Sequence, residues 1–207
     1  MRWRIFFELT MQTRKNRWED HYARQAKKER FPARSVYKLK EIQQKYRIIK
    51  KGDKVLDLGC APGSWLIYAA EVTGPAGRVV GFDLQPVSVQ LPAHVSVQRA
   101  DACALNEEKF TGLGVDFDVV LSDMAPATSG NKAVDAARSF QLCQVALDIA
   151  RAVLKPTGTF VCKIFQGAEF PRFVESVRSG FKAYQIFKPQ SSRKASKEIF
   201  IIGLHKL

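Results

Sequence analysis

The chain has 207 residues, 46% of them hydrophobic, which is enough for one domain with a sizeable core. No apolar run approaches the ~20 residues that span a bilayer as a helix, so a helical membrane protein is excluded. The formal net charge of +13, from 33 Lys/Arg against 20 Asp/Glu, points to a polyanionic partner.

That charge is lopsided. Residues 1–54 hold 17 Lys/Arg against 6 Asp/Glu, or +11, while the remaining 153 residues are nearly neutral at 16 against 14. Such asymmetry is the footprint of a polyanion-binding segment attached to a neutral core. The division expected is a basic extension over residues 1–31, irregular or loosely helical, followed by one domain over 32–207. Arg17, Arg24, Lys27, Lys28 and Arg34 are the candidate phosphate contacts there. Trp18, His21, Tyr22, Phe31 and Tyr37 are interleaved with them and offer faces for unpaired bases, which favours RNA. The start Met1–Leu9 has basic residues, few consecutive apolar ones and no small-residue cleavage site, unlike a signal peptide. Cys60, Cys103, Cys143 and Cys162 form no C-x-x-C pair and have no histidine at zinc spacing. They read as reduced, mostly buried thiols of a cytosolic protein, and no metal is expected.

Beyond the extension, Val36, Leu39 and Ile42 recur at helical spacing, so a helix is expected over 35–46 with Ser35 as its N-cap. Lys50-Lys51-Gly52-Asp53 turns into the first strand. Strands are expected near 54–58, 78–83, 95–99, 117–122 and 158–164, with helices near 63–73, 133–154 and 169–179. This alternation implies a parallel sheet with helices on both faces. Two last strands, 184–187 and 199–204, are joined by a basic polar loop with no room for a crossover helix, so they pair antiparallel.

The densest signal is Asp57-Leu58-Gly59-Cys60-Ala61-Pro62-Gly63-Ser64-Trp65, a buried strand running into a glycine turn. A dinucleotide fingerprint wants a third glycine, and a P-loop wants Gly-Lys-Ser/Thr; neither is present. The remaining form of this turn resembles that of S-adenosylmethionine (SAM)-dependent methyltransferases, in which the loop backbone faces the amino-acid end of SAM. Asp57 sits near the carboxyl end of its strand, where ligands of open α/β sheets lie. Asp83 ends the next strand and is placed to hold the ribose hydroxyls; Asp101 follows the third and is placed to reach the adenine amino group. A mostly parallel, seven-stranded sheet with one antiparallel C-terminal strand likewise resembles the Rossmann-like architecture of those enzymes.

Four ionisable residues stand where patterning prefers something else. Lys38 lies on the first predicted helix, Asp123 ends Val119–Asp123, Lys163 interrupts the apolar Phe160–Phe165, and Glu198 opens the last strand. A lysine in an apolar strand is expensive unless it is paired. With the segments 34–42, 57–65, 122–130, 163–167 and 191–198 in this order, the chain resembles the FtsJ-type ribosomal RNA 2'-O-ribose methyltransferases from about residue 12 onward. The resemblance implies a Lys-Asp-Lys-Glu catalytic tetrad at Lys38, Asp123, Lys163 and Glu198. It implies SAM contacts at Gly63, Trp65, Asp83, Asp101 and Asp123, in a loop where Asp57, Gly59 and Pro62 shape the turn. Arg193 and Lys194 join the RNA contacts. The implied substrate is an A-loop uridine of large-subunit ribosomal RNA, recognised best in the assembled particle by a monomeric enzyme. Met11-Gln-Thr-Arg-Lys-Asn-Arg-Trp resembles the family's usual start, which makes residues 1–10 an extension or the product of an upstream start codon.

The chemistry agrees with those roles. A free lysine, with a pKa of ~10.4, is protonated at neutral pH and accepts no proton. A neighbouring ammonium and partial burial lower that value, while carboxylates raise it. Lys163 is therefore the expected general base, with Lys38 orienting the ribose and Asp123 and Glu198 fixing both lysines. Two other readings stay open: a tRNA anticodon-loop methyltransferase with the same tetrad, and a non-catalytic RNA-binding assembly factor on the same fold.

Overall fold

The computed structural model describes residues 20–104, 116–193 and 195–207. Met11, Arg17, Trp18, Lys194 and most of the expected extension lie outside the described residues. The helices are α1 (Asp20–Lys28), α2 (Val36–Tyr46), α3 (Ser64–Thr73), α4 (Lys132–Val153) and α5 (Phe170–Arg178). The strands are β1 (Lys54–Leu58), β2 (Arg78–Asp83), β3 (Val95–Arg99), β4 (Phe117–Ser122), β5 (Leu154–Phe165), β6 (Phe181–Phe187) and β7 (Glu198–Lys206). They form one seven-stranded sheet in the order β3-β2-β1-β4-β5-β7-β6. β1 to β5 pair in parallel, and β7 lies antiparallel between β5 and β6. This is the mostly parallel, seven-stranded α/β sheet with one antiparallel C-terminal strand that the sequence predicts.

Strand alternation sorts the core into two layers. Leu56, Leu58, Val80, Phe82, Val120, Phe160, Cys162, Ile164, Ile199 and Ile201 face α4 and α5. Val55, Val79, Val119, Leu121, Val161, Phe200 and Ile202 face α2 and α3, which contribute Leu39, Ile42, Trp65, Leu66 and Ala69. Strands buried on both faces read as continuous apolar runs, which is why β1, β2 and β4 are legible. The same alternation puts Asp57, Asp123 and Lys163 on the α2 side, in step with Val55, Leu121 and Val161.

Three local expectations are corrected. Ser35 occupies the N-cap position of α2, but its hydroxyl makes no cap hydrogen bond; its carbonyl instead accepts from the Trp65 indole at 2.9 Å. β5 begins at Leu154 rather than 158, because Leu154 is buried and pairs with Phe117 directly after α4, before the register shifts to Val119–Thr159. β6 begins at Phe181 rather than 184. It is an edge strand on which only Phe181 is fully buried, so it carries little apolar pattern.

Phe31 and Tyr37, expected to stack on bases, are buried instead. With Ala26 and Val36 they seal α1 against α2, and Tyr22 packs on their edge. The Lys40 ammonium lies over the Phe31 and Tyr37 rings at 4.4 and 5.3 Å, and 2.6 Å from Glu29. These two rings are thereby committed to packing. Among the described residues, no helix is long and apolar enough to cross a membrane.

Candidate active site

The strand order reverses between β1 and β4, which opens a cleft at their carboxyl ends. The glycine turn enters it. Gly59, at φ 78°, lets the chain leave β1 while the amides of Gly59 and Cys60 both donate to the Phe82 carbonyl at 2.8 and 3.2 Å. A Cβ at Gly59 would stand 2.9 Å from the Met124 backbone, so the loops after β1 and β4 pack flush only because it is absent. Gly63 takes φ 111°, and a Cβ there would meet Val89 at 2.8 Å.

A cavity of about 270 Å³ lies in the cleft, lined by Gly59, Ala61, Asp83, Asp101, Asp123 and Met124 among others. Asp83 is locked on its wall, accepting from the Ala61 amide at 2.9 Å and the Gln85 amide at 2.8 Å. Asp101 accepts from the Cys103 amide at 2.9 Å. Asp57 lies fully buried, and neither carboxylate oxygen has a hydrogen-bond partner among the described residues. Burial above all, then the nearby Asp123 and Asp83 charges, pushes its carboxyl well above the usual range. Three acids on its wall, with the orphaned Asp57 beside two of them, and a glycine turn suit a ligand with a sulfonium, an ammonium and ribose hydroxyls. Asp57, Pro62, Gly63 and Trp65 do not line this cavity. Trp65 is buried, with its ring 5.9 Å from that of Phe200.

The four outlying charges form two ion pairs on one face of the sheet. Lys163, 5% exposed, has its Nζ 2.9 Å from Asp123 Oδ1 and donates its directed hydrogen bond to the Asp123 carbonyl at 2.5 Å. Lys38 Nζ straddles the Glu198 carboxylate at 2.8 and 2.9 Å. Lys163 is opposite Phe200 and Phe165 opposite Glu198, so Lys163 and Glu198 are diagonal neighbours. Diagonal neighbours of this kind lie about 7–8 Å apart. Phe200 stands between the pairs, with the Lys38 ammonium 6.0 Å from its ring centroid. Two cations and two carboxylates leave this patch without net charge. Asp123 also lines the cofactor cavity, so the patch and the cleft share a wall.

A family model described as FtsJ-like methyltransferase matches residues 31–206, nearly the whole chain. The chain belongs to the FtsJ-like methyltransferase family. A relative from Desulforapulum autotrophicum, named Ribosomal RNA large subunit methyltransferase E, is 57% identical over 93% of this chain and 95% of its own length. One of the same name from Bdellovibrio bacteriovorus is 50% identical over 90% of this chain and 96% of its own. Among solved structures, a Plasmodium falciparum protein superposes with a TM-score of 0.74 at 24% identity, covering 86% of this chain and 99% of its own. Aeropyrum pernix fibrillarin, solved with bound SAM, superposes at 0.62 and 19% identity, covering 82% and 76%. These two likenesses speak for the fold. The FtsJ-like chain is a SAM-dependent methyltransferase, and the acidic cleft suits its cofactor.

The FtsJ-like site also contains a residue that sequence reasoning missed, Glu41. One stripe of α2 and the turn before it, Arg34–Lys38–Glu41, reaches across to the β6–β7 loop. Glu41 accepts from the Gln190 and Ser191 amides at 2.6 and 2.9 Å. Arg34 donates to the Ser191 carbonyl at 2.6 Å, and Ser192 donates to Glu198 at 2.8 Å. The i, i+3 spacing of Lys38 and Glu41 is the only sequence signal for this staple. Removing the carboxylate in Glu41→Ala should cost about 1–2 kcal/mol, read as a lower urea midpoint. It should also lower kcat with the SAM Kd unchanged, because Lys38 and Glu198 lose their common frame. Of the predicted RNA contacts, Arg24, Lys27, Lys28 and Arg193 are exposed. Arg34 is half-buried, with its guanidinium 5.3 Å from the Tyr22 ring centroid.

Proposed function

We propose that the chain transfers the methyl group of SAM to the 2'-hydroxyl of a uridine in large-subunit, 23S-type ribosomal RNA, on the assembled 50S subunit. The observation that carries this reading is that Asp123 both lines the cofactor cleft and pairs with Lys163, so a hydroxyl beside Lys163 is in reach of the methyl donor. The relatives' names support ribosomal RNA as the substrate, as does the +11 charge of residues 1–54.

SAM supplies an electrophilic methyl on a positively charged sulfur, so the chain needs only to align and deprotonate the acceptor. Lys163, after releasing one ammonium proton to solvent, takes the hydroxyl proton on Nζ while the oxygen–carbon bond forms and the sulfur–carbon bond breaks. Asp123 steadies the ammonium produced. Lys38, held by Glu198, which also accepts from the Ser192 hydroxyl, orients the ribose. Alignment of the hydroxyl in line with the methyl is the larger contribution. Asp57, Gly59, Pro62, Gly63 and Trp65 shape the cofactor loop, with Asp83 on the ribose hydroxyls and Asp101 on the adenine amine. Residues 1–31, with Arg17, Arg24, Lys27 and Lys28, extend the RNA grip of the 32–207 domain, together with Arg34, Arg193 and Lys194. The protein acts as a cytosolic monomer.

Incubation with labelled SAM and, separately, undermethylated large subunits, free ribosomal RNA and tRNA tests the substrate. Label on the large subunit is expected. Label on tRNA alone would replace the substrate, and label on none would favour a non-catalytic RNA-binding factor.

A further inference from the structure

A second cavity of about 270 Å³ opens beside the Lys38–Glu198 pair and away from the cofactor cleft. Its other walls are Arg34, Ser35, Ser191, Arg193 and Ser196. Three cations thus face one carboxylate, and that carboxylate is already engaged by Lys38 and Ser192. The Arg34 guanidinium is held in place, stacked at 5.3 Å over Tyr22 and bonded to the Ser191 carbonyl. A fixed guanidinium matches two phosphate oxygens at once. Ser35 adds a hydroxyl that leaves the end of α2 uncapped.

Ser191 is the decisive residue. Its amide is taken by Glu41 and its carbonyl by Arg34. Its hydroxyl, on a residue 1% exposed, has no hydrogen-bond partner among the described residues. A buried hydroxyl left unpaired costs stability, so its retention on the wall of a basic cavity calls for a ligand that accepts. We infer that this cavity is a subsite for a phosphodiester of the RNA adjacent to the methylated ribose, with Arg34, Ser191 and Arg193 as its contacts. The inference rests on the RNA substrate proposed above. It fixes the path of the strand: the ribose lies at Lys38 and Lys163, and the neighbouring phosphate lies on the far side of Lys38 from SAM.

The test uses the full chain saturated with SAM and a set of short uridine-containing RNA oligonucleotides. Each carries one neutral methylphosphonate linkage at a different position, and binding is read by fluorescence anisotropy. In the wild type, one linkage should stand out, with its neutralisation weakening binding about tenfold. In Ser191→Ala and Arg34→Gln, the all-phosphate RNA should bind more weakly, and the penalty at that linkage should shrink to about twofold. Ser191→Ala should keep or raise Tm, because the hydroxyl it removes has no partner among the described residues, and this separates ligand loss from unfolding. A wild type with no distinguished linkage, or variants that still distinguish it fully, would overturn the subsite. Binding of the expected kind without methylation of ribosomal RNA would sink the proposed function and leave the subsite standing.

Discussion

Lys163→Ala is expected to slow methyl transfer by about 10²–10⁴-fold while SAM remains bound, the range for loss of a positioned general base. The substitution removes the Nζ that lies 2.9 Å from Asp123 Oδ1 and bonds the Asp123 carbonyl. Because it also strips Asp123 of its cation, lost activity alone would not separate catalysis from scaffolding. Lys163→Arg makes that distinction. Arginine keeps the positive charge and the pairing with Asp123, but its guanidinium does not lose its proton in proteins. If Lys163 is the base, the arginine variant stays as slow as the alanine variant in single-turnover assays, with its SAM Kd near that of wild type. If Lys163 only anchors Asp123, arginine restores much of the rate. Glu198→Ala should cost less, since Glu198 acts through Lys38; a larger loss there than at Lys163 would invert the roles.

Asp57→Asn is expected to stabilise the cofactor-free protein at pH 8, by on the order of 1–3 kcal/mol, and to weaken SAM binding. The Asp57 carboxyl is fully buried without a partner among the described residues and is pushed well above its ordinary value by burial and by the Asp123 and Asp83 charges. A group whose pKa is raised by folding favours the fold while it is protonated. That contribution is complete below the unfolded value of about 3.9 and is lost as pH climbs through the folded value. The stability advantage of Asp57→Asn should therefore be near zero at pH 4 and grow toward pH 8, as measured by urea midpoints. A variant that is less stable than wild type by the same amount at every pH would mark Asp57 as a structural group. A gain in stability coupled to a loss in SAM affinity is the signature of a site that tolerates strain for its ligand.

The candidate site residues were legible because each violates a local rule. Lys163 interrupts an apolar strand, Asp57 and Asp123 sit in runs that should be hydrophobic, and Gly59 stands where only glycine allows the Met124 backbone so close. The antiparallel end of the sheet was legible from a loop too short for a helix, and β7 does lie antiparallel to both its neighbours. The supporting shell was not legible, for a physical reason. Glu41 and Arg34 hold the loop at Gln190 and Ser191 through backbone groups some 150 residues away, and a backbone acceptor or donor leaves no trace in the partner's side chain. Trp65 misled in the other direction. Its place in the motif implied a cofactor contact, whereas its indole bonds the Ser35 carbonyl and its ring packs against Phe200. Phe31 and Tyr37 misled because an aromatic ring among basic residues reads alike whether it stacks on a base or seals a helix. Burial alone decides, and both are buried.

The most direct test of the central claim is the chemical position of the transferred methyl. Undermethylated large subunits are incubated with the protein and labelled SAM, and the ribosomal RNA is digested to nucleosides and resolved by mass spectrometry. The paired lysines and carboxylates beside the cofactor cleft predict label in 2'-O-methyluridine, absent when Lys163→Ala or Lys163→Arg replaces the wild type. Label in a base-methylated nucleoside, or 2'-O-methyluridine formed at the wild-type rate by Lys163→Arg, would contradict it.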